Sequence, residues 1–244
     1  FIASFAQTNY NVVQGTDNES ITEVSLTHDG STIVQTSGVG TNTGTNKSVI
    51  INYFEIDSAG YSIRLDQFNN EGSIVANNNF GPTVSGVGVY EQGATYLASN
   101  PISWQAAMTR SASDVDALSF LYYDGTSNLP SGDDFDVLWS RGLQDDDYLA
   151  VGERNGNSSF TIRPLDSNGN VITSARALRF GNVNGSSSPN GNSKYDWDIG
   201  YSPSNLTSQS MMYIVVDVEL FNANQAVYGY RVDNTSQADL KIFG

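Results

Sequence analysis

The chain has 244 residues, of which 39% are hydrophobic and only 15% charged, so it can bury a large core but must build most of its polar surface from uncharged residues. Its formal net charge of −15 argues against nucleic acid and anionic membrane surfaces as partners. Because there is no cysteine, disulfides, thiol nucleophiles and thiolate metal sites are excluded. The sequence contains no apolar run of about 18 residues that would predict membrane insertion.

The first residues, FIASFA, alternate large and small apolar groups before any turn signal. A strand of this kind, carrying Phe1, Ile2 and Phe5, can complete the sheet of a neighbouring copy by edge addition. The alternative is an ordinary first strand of the chain's own domain. Both interpretations are compatible with the sequence.

Apolar and polar residues alternate along most of the remaining chain, which is typical of strands with one buried face. The alternating stretches are ITEVSLT, STIVQTS, SVIINYFEI, YSIRLDQF, GSIVANN, DALSFLYY, DFDVLWS, DYLAVGE, SSFTIRPL, NVITSARAL, MYIVVDVELF, AVYGYRV and ADLKIFG. The triplet HDG at 28–30 predicts a tight hairpin and leaves His28, the single histidine, exposed at its tip. The predicted fold class is all-β, an antiparallel β-sandwich with jelly-roll-like topology or two stacked β units.

No segment shows a sustained helical stripe; NPISWQAAMTRSASDVDAL, which begins at Asn100, could hold one helical turn or an irregular crossover. The Asn100-Pro101 dipeptide disfavours continuing regular structure. It therefore divides the chain into an N-terminal β unit, residues 1–100, and a C-terminal β-sandwich unit, residues 101–244. A single domain is the alternative.

Two acidic clusters, SGDDFD and QDDDY, bracket the run DVLWS and are candidate calcium ligands. Calcium takes six to eight oxygen ligands, which are often loop carboxylates. The loop LDSNGN at 165–170 resembles a short calcium loop, whereas the bland alternative is that the aspartates only solubilise an acidic protein. The strand between the clusters predicts that they lie at opposite ends of a sheet. The candidate metal ligands are Asp133, Asp134, Asp136, Asp145, Asp146 and Asp147.

The segment KYDWDIGY places aromatic rings beside carboxylates after a glycine-rich loop. Exposed rings with neighbouring acids are the usual apparatus for stacking and hydrogen-bonding a sugar. The alternative is that Trp197 plugs the end of the sandwich, because tryptophan is usually well buried. Trp104 and Trp139 are core candidates. The candidate ligand-binding residues are Tyr195, Asp196, Trp197, Asp198 and Tyr201.

The histidine and the glutamates of the chain do not lead us to expect enzymatic activity. One histidine cannot build a zinc site, and an exposed one is unsuited to a Ser-His-Asp triad. Glycoside hydrolysis needs only two carboxylates, and Glu55, Glu153 and Glu219 lie in alternating strands. Alternation, however, predicts that each faces outward to solvent.

The patterns DYLAVGERNGNSSFTIRPLDSNGNVI, YDWDIGY, VVDVELF and VYGYRVDNTSQADLKIFG, within residues 147–244, resemble secreted Asn- and Gly-rich β-proteins of Bacteroidota. The resemblance implies export, an extracellular or cell-surface location, and adhesive or structural use. The first hypothesis is therefore a β-sandwich that assembles with copies of itself through strand addition. The second is a carbohydrate-binding module or lectin for surface glycans, with or without calcium, and the third is a carboxylate glycosidase.

Overall fold

The computed structural model describes residues 7–12, 16–28, 30–38, 49–66, 73–76, 87–90, 120–123, 134–154, 156, 159–181, 195–201, 210–233 and 240–243. These residues form sixteen strands and one short 3₁₀ helix, Val218–Phe221. No helix in these ranges is long and apolar enough to cross a membrane. The strands are β1 (Asn9–Asn11), β2 (Ser20–His28), β3 (Ser31–Gln35), β4 (Val49–Ser58), β5 (Tyr61–Leu65), β6 (Ser73–Ala76), β7 (Val87–Tyr90), β8 (Phe120–Tyr123), β9 (Asp134–Leu143), β10 (Tyr148–Arg154), β11 (Phe160–Leu165), β12 (Ala177–Phe180), β13 (Trp197–Asp198), β14 (Met211–Asp217), β15 (Val227–Asp233) and β16 (Leu240–Phe243).

The largest sheet, called the front sheet here, has six strands in the order β1-β12-β11-β15-β9-β6. All its pairs are antiparallel except the one at its edge, where β1 runs parallel to β12. The β9–β15 pair contains a register shift between Val227 and Gly229. The sheet therefore bends at this point.

The other two large sheets have four strands each. The central sheet has the order β13-β14-β10-β16, and the back sheet has the order β3-β2-β4-β5. The hairpin β2–β3 pairs His28 with Ser31 across the predicted two-residue turn, where Gly30 adopts a positive φ of 74°. A two-residue connection of this kind suits Asp-Gly because glycine adopts positive φ without steric cost. β7 and β8 form a separate pair.

The central sheet is buried on both faces, with one hydrophobic core on each side of it. One core joins it to the front sheet through residues such as Val151, Ile214 and Val232. The other joins it to the back sheet through residues such as Tyr213, Val215 and Phe54. The molecule is thus an all-β, sandwich-like stack of three sheets, which confirms the predicted fold class.

Strands from both sides of the Asn100-Pro101 dipeptide share sheets and cores. β1 and β6, from the first hundred residues, belong to the front sheet, whose other strands lie between residues 134 and 233. The core behind the central sheet likewise combines Leu26 and Phe54 with Tyr213. The dipeptide itself lies outside the described residues.

Two local expectations are wrong. His28 is buried, with 8% exposure, and its ring lies 4.8 Å from that of Tyr201, because this end of β2 packs on the core instead of projecting into solvent. The run VVDVELF does not continue as a strand beyond Asp217. The Asp217 side chain accepts a hydrogen bond from the backbone N–H of Glu219 and starts the 3₁₀ helix.

Candidate functional site

The three aromatic residues predicted to stack on a sugar belong to the hydrophobic core. Tyr195, Trp197 and Tyr201 are between 2% and 4% exposed. The indole N–H of Trp197 donates to the side-chain oxygen of Gln35 at 3.1 Å, which ties the central sheet to β3. Because the rings are buried, they offer no open face for stacking, and their position agrees with the alternative in which Trp197 fills the sandwich.

The two aspartates of the same segment hold backbone groups in place. Asp196 accepts a hydrogen bond from the backbone N–H of Ile21 at 2.8 Å, and Asp198 accepts one from Gly200 at 2.7 Å. Asp196 therefore satisfies a donor in the part of β2 that β3 does not cover. Their contacts are those of structural residues.

Only Asp136 of the first predicted calcium cluster has a described side chain, and it is engaged in an ion pair. Asp133 lies outside the described residues, and only the backbone of Asp134 is described. Asp136 is 4% exposed, and both its carboxylate oxygens accept from Arg231, at 2.6 and 2.7 Å. An ion-paired carboxylate inside a sheet is committed to the fold.

The second cluster forms the turn between β9 and β10. Asp147 accepts a hydrogen bond from the backbone N–H of Gln144 at 2.8 Å and pairs with Arg141 at 3.4 Å. Asp145 and Asp146 are exposed. The ten-residue strand β9 separates this turn from Asp134, so the clusters lie at opposite ends of the strand, about 30 Å apart. They cannot share one ion.

The loop 165–170 uses its carboxylate internally. Asp166 accepts hydrogen bonds from the backbone N–H groups of Asn168 and Asn170, at 2.8 and 2.9 Å. These bonds lower the pKa of Asp166, and the bond from Asn170 has the larger effect. Across the described ranges, no group of three or more His, Asp or Glu residues is arranged to hold a metal ion.

Phe1, Ile2 and Phe5, the residues predicted for assembly, lie outside these ranges, as does Trp104.

The three glutamates considered for catalysis lie in different environments. Glu55 faces outward on the back sheet and Glu219 is exposed on the 3₁₀ helix, but Glu153 is fully buried, so its predicted outward position is wrong. The reason is that β10 belongs to the central sheet, which has no solvated face. The pKa of Tyr195 is raised, mainly because its hydroxyl is buried and secondly because Glu153 lies nearby.

The outer face of the back sheet carries a different group of polar side chains, which the sequence did not single out as a site. A register shift between Ser25 and Leu26 leaves Asn52 as an extra residue on β4. A second shift leaves Thr22 as an extra residue on β2. Such bulges change which side chains face outward, so the adjacent polar residues Asn52 and Tyr53 can both join this face.

Hydrogen bonds link the side chains of this outer face into a network. Thr27 donates to Asn52, which donates to Ser25, both at 3.1 Å. The Tyr53 hydroxyl donates to Glu23, and the Arg64 guanidinium lies 4.0 Å above the Tyr53 ring. We call this set, Glu23, Ser25, Thr27, Asn52, Tyr53, Glu55, Ser62 and Arg64, the outer-face network.

The network also shifts the pKa of its acidic groups. The hydrogen bond to Glu23 raises the pKa of Tyr53. Hydrogen bonds from Ser62, at 2.6 Å, and from Arg64, at 3.4 Å, lower the pKa of Glu55. Ser62 and Arg64 both stabilise the charged carboxylate of Glu55. The donors and acceptors of the network are held on one face of the sheet by these hydrogen bonds.

A second polar region surrounds the 3₁₀ helix. Two clefts of about 460 and 410 Å³ adjoin it, and both are lined by Glu219 and Asn222. Burial raises the pKa of Asp217, whereas the hydrogen bond from the Glu219 backbone lowers it. The negative charges of Glu219, Asp145 and Asp146 raise the pKa further. The carboxylates repel one another here.

Two substitutions to asparagine should change stability in opposite directions. A raised pKa means that Asp217 stabilises the fold when protonated, below its unfolded value of about 4, and loses that contribution as pH rises. Asp217→Asn should therefore raise the melting temperature at pH 7, with little gain at pH 4, and it keeps the acceptor for Glu219. Asp166 has a lowered pKa, so its stabilisation is present above about pH 4 and is lost as pH falls.

Asp166→Asn should accordingly lower the melting temperature at pH 7. Thermal unfolding of both variants and the wild type at the two pH values checks the pair. Shifts of the same sign at pH 7 would contradict the electrostatic account.

The back sheet ends on each side in a five-residue strand, β3 and β5. Among the strands that the structure describes, none pairs with the outer edge of either. Val34 on β3 and Tyr61 on β5, with 51% and 75% exposure, are exposed large hydrophobic residues. An open edge with exposed apolar side chains is a typical place for another strand to pair.

The fold and these surfaces define a class: an all-β, three-layer sandwich-like protein whose back sheet carries a polar face and two edges that no described strand covers. The chain matches no known protein-family model, no curated protein and no solved structure.

Proposed function

We propose that the chain is an extracellular structural or adhesive β-sandwich module, without catalytic activity, that associates with copies of itself through its back sheet. The observation that carries the proposal is the pair of edge strands, β3 and β5, that remain open among the described strands. Two hydrophobic cores hold the three sheets together. An edge strand that is already ordered loses less conformational entropy on pairing than a disordered segment would.

The environments of the three glutamates considered for catalysis favour a non-catalytic role for them. Glycoside hydrolysis requires two carboxylates that face each other across a cleft. Glu55 is committed to Arg64 and Ser62, and Glu153 is fully buried in the interior. Glu219 lies beside the clefts but on a different element from both. These three residues therefore do not form an acid pair.

Self-association should be visible in the purified protein. Because a second strand can pair at an edge of the back sheet, the average mass should rise with concentration and the particles should be oligomers or filaments. Light scattering coupled to size-exclusion chromatography, with electron microscopy of the concentrated sample, measures this. A monomer over about a hundredfold range of concentration would contradict the proposal.

The outer-face network supports glycan binding as a second candidate function. It combines an aromatic ring, a guanidinium and carboxylates on one flat face, which are groups that hydrogen-bond sugar hydroxyls. Arg64 covers one side of the Tyr53 ring at 4.0 Å, so hydrogen bonding would dominate over stacking. A glycan array distinguishes the candidates: saturable binding that is lost in Arg64→Ala and retained in Arg141→Ala would favour the lectin.

Calcium remains a separate prediction for the exposed residues Asp145 and Asp146. An ion there would offset the repulsion that these charges exert on Asp217. Melting curves with calcium and with a chelator measure the effect directly. A midpoint that does not change would exclude a stabilising calcium ion.

A further inference from the structure

Building on the proposed self-association, we propose that two copies pair antiparallel through β3, joining their back sheets into one eight-stranded sheet. The choice of β3 over β5 follows from charge. Strand β3, Ser-Thr-Ile-Val-Gln, has no charged residue, whereas β5 carries Arg64, which is paired with Glu55. Charged side chains on an edge strand disfavour pairing with another strand.

The surroundings of β3 also permit two acidic molecules to meet. Each chain has a net charge of −15, so association requires a surface without facing carboxylates. Across the outer face of the back sheet, Val34 lies opposite Ser25, and Thr32 lies opposite Thr27. These four side chains beside the edge are uncharged and add no repulsion.

The register of the hairpin determines which backbone groups of β3 are available. His28 and Ser31 flank the two-residue turn, and such flanking residues exchange both backbone hydrogen bonds. Alternation then directs the N–H and C=O groups of Ser31, Ile33 and Gln35 toward β2. Those of Thr32 and Val34 point away from β2, toward the open edge.

Two-fold antiparallel pairing centred on Ile33 matches these groups. Thr32 of one copy would lie opposite Val34 of the other, and each such pair would exchange two backbone hydrogen bonds. The side chains of both residues face outward, because Ile33 packs on the core. Val34, 51% exposed in the single chain, would be covered by the partner's Thr32, a favourable pair of β-branched side chains.

Strand β3 is also held in place before any partner arrives. The Gln35 side chain donates to the backbone oxygen of Ile199 at 2.9 Å and accepts from Trp197. Just beyond the strand, the backbone oxygen of Gly38 accepts from the N–H of Asp198 at 2.9 Å. These three hydrogen bonds anchor the end of β3 to the central sheet, so pairing would not require ordering of this end.

Sedimentation velocity of single variants tests the choice of edge. Val34→Lys places one positive charge from each copy at the joint and should weaken dimerisation about tenfold or more. Thr32→Pro removes only an outward N–H and should weaken it as well. Tyr61→Lys, the matched change on β5, should leave dimerisation unchanged. Circular dichroism and melting confirm that each variant is folded.

Engineered cysteines test the register, because the native chain has none. A mixture of Thr32→Cys and Val34→Cys proteins should form a disulfide-linked dimer faster under mild oxidation than either protein alone, since only the mixture places two cysteines directly opposite.

The outcomes separate the two proposals. Association of the wild type that is unaffected by Val34→Lys, or lost in Tyr61→Lys, would overturn the β3 interface and leave self-association intact. A wild type that stays monomeric would overturn both.

Discussion

Replacing Gly229 by alanine should destabilise the protein strongly, and more than the same change at Gly142 in the same strand pair. A Cβ at this position would lie 2.0 Å from the backbone oxygen of Val137 and 2.9 Å from the Cα of Leu138. Both atoms belong to the backbone of β9, which is paired on its other side with β6. The clash therefore cannot be relieved by rotating a side chain.

The expected loss is about 3 kcal/mol, at the upper end of the usual cost of overpacking. For a chain of 244 residues this corresponds to a fall in melting temperature of roughly 6–12 °C. Gly142→Ala in the same strand pair is the matched control. Its Cβ would meet the half-buried ring of Tyr228 at 3.1 Å, which can shift, and the Cβ of Ala226 at 3.4 Å, an ordinary contact. Equal losses in the two variants would contradict the steric argument.

The same position shows what the sequence could and could not reveal about the fold. The alternation in AVYGYRV correctly predicted a strand, which is now β15. It did not predict the register shift beside Gly229, because a bulge depends on the length of the partner strand and not on the pattern of either strand alone.

Period-two alternation also presumes that one face of each strand meets solvent. That presumption failed for the central sheet, where Glu153 is buried. The run MYIVV at the start of β14 contains consecutive apolar residues and fits a strand buried on both faces. The signal was thus present in β14, which pairs directly with β10, but the glutamate of β10 suggested an exposed face for that strand.

The candidate surfaces were only partly predictable. The sequence correctly predicted that Glu55 faces outward. Its partners Ser62 and Arg64 lie on β5, and Tyr53 joins the same face beyond a bulge, so pairing of β2, β4 and β5 was needed to bring them together. The buried segment Tyr195–Tyr201 was the stronger local signal, because aromatic and acidic residues are adjacent there, yet adjacency says nothing about exposure.

The second large effect is expected at Arg231. Its guanidinium makes two charge-assisted hydrogen bonds, of 2.6 and 2.7 Å, to Asp136, whose side chain is 6% exposed. Arg231→Met would remove these bonds and leave the buried carboxylate with a large desolvation cost. Breaking such a buried pair typically costs about 3–5 kcal/mol.

Chemical denaturation of three variants checks this explanation. Arg231→Met alone should lose most stability. Arg64→Met, which breaks the exposed 3.4 Å pair with Glu55, should lose far less stability, because exposed ion pairs contribute little. The double variant Asp136→Leu with Arg231→Met should recover much of the loss, because replacing both members of a buried pair by apolar groups removes the stranded charge. If the double variant is no more stable than Arg231→Met, packing of the arginine stem, and not its charge, stabilises the front sheet.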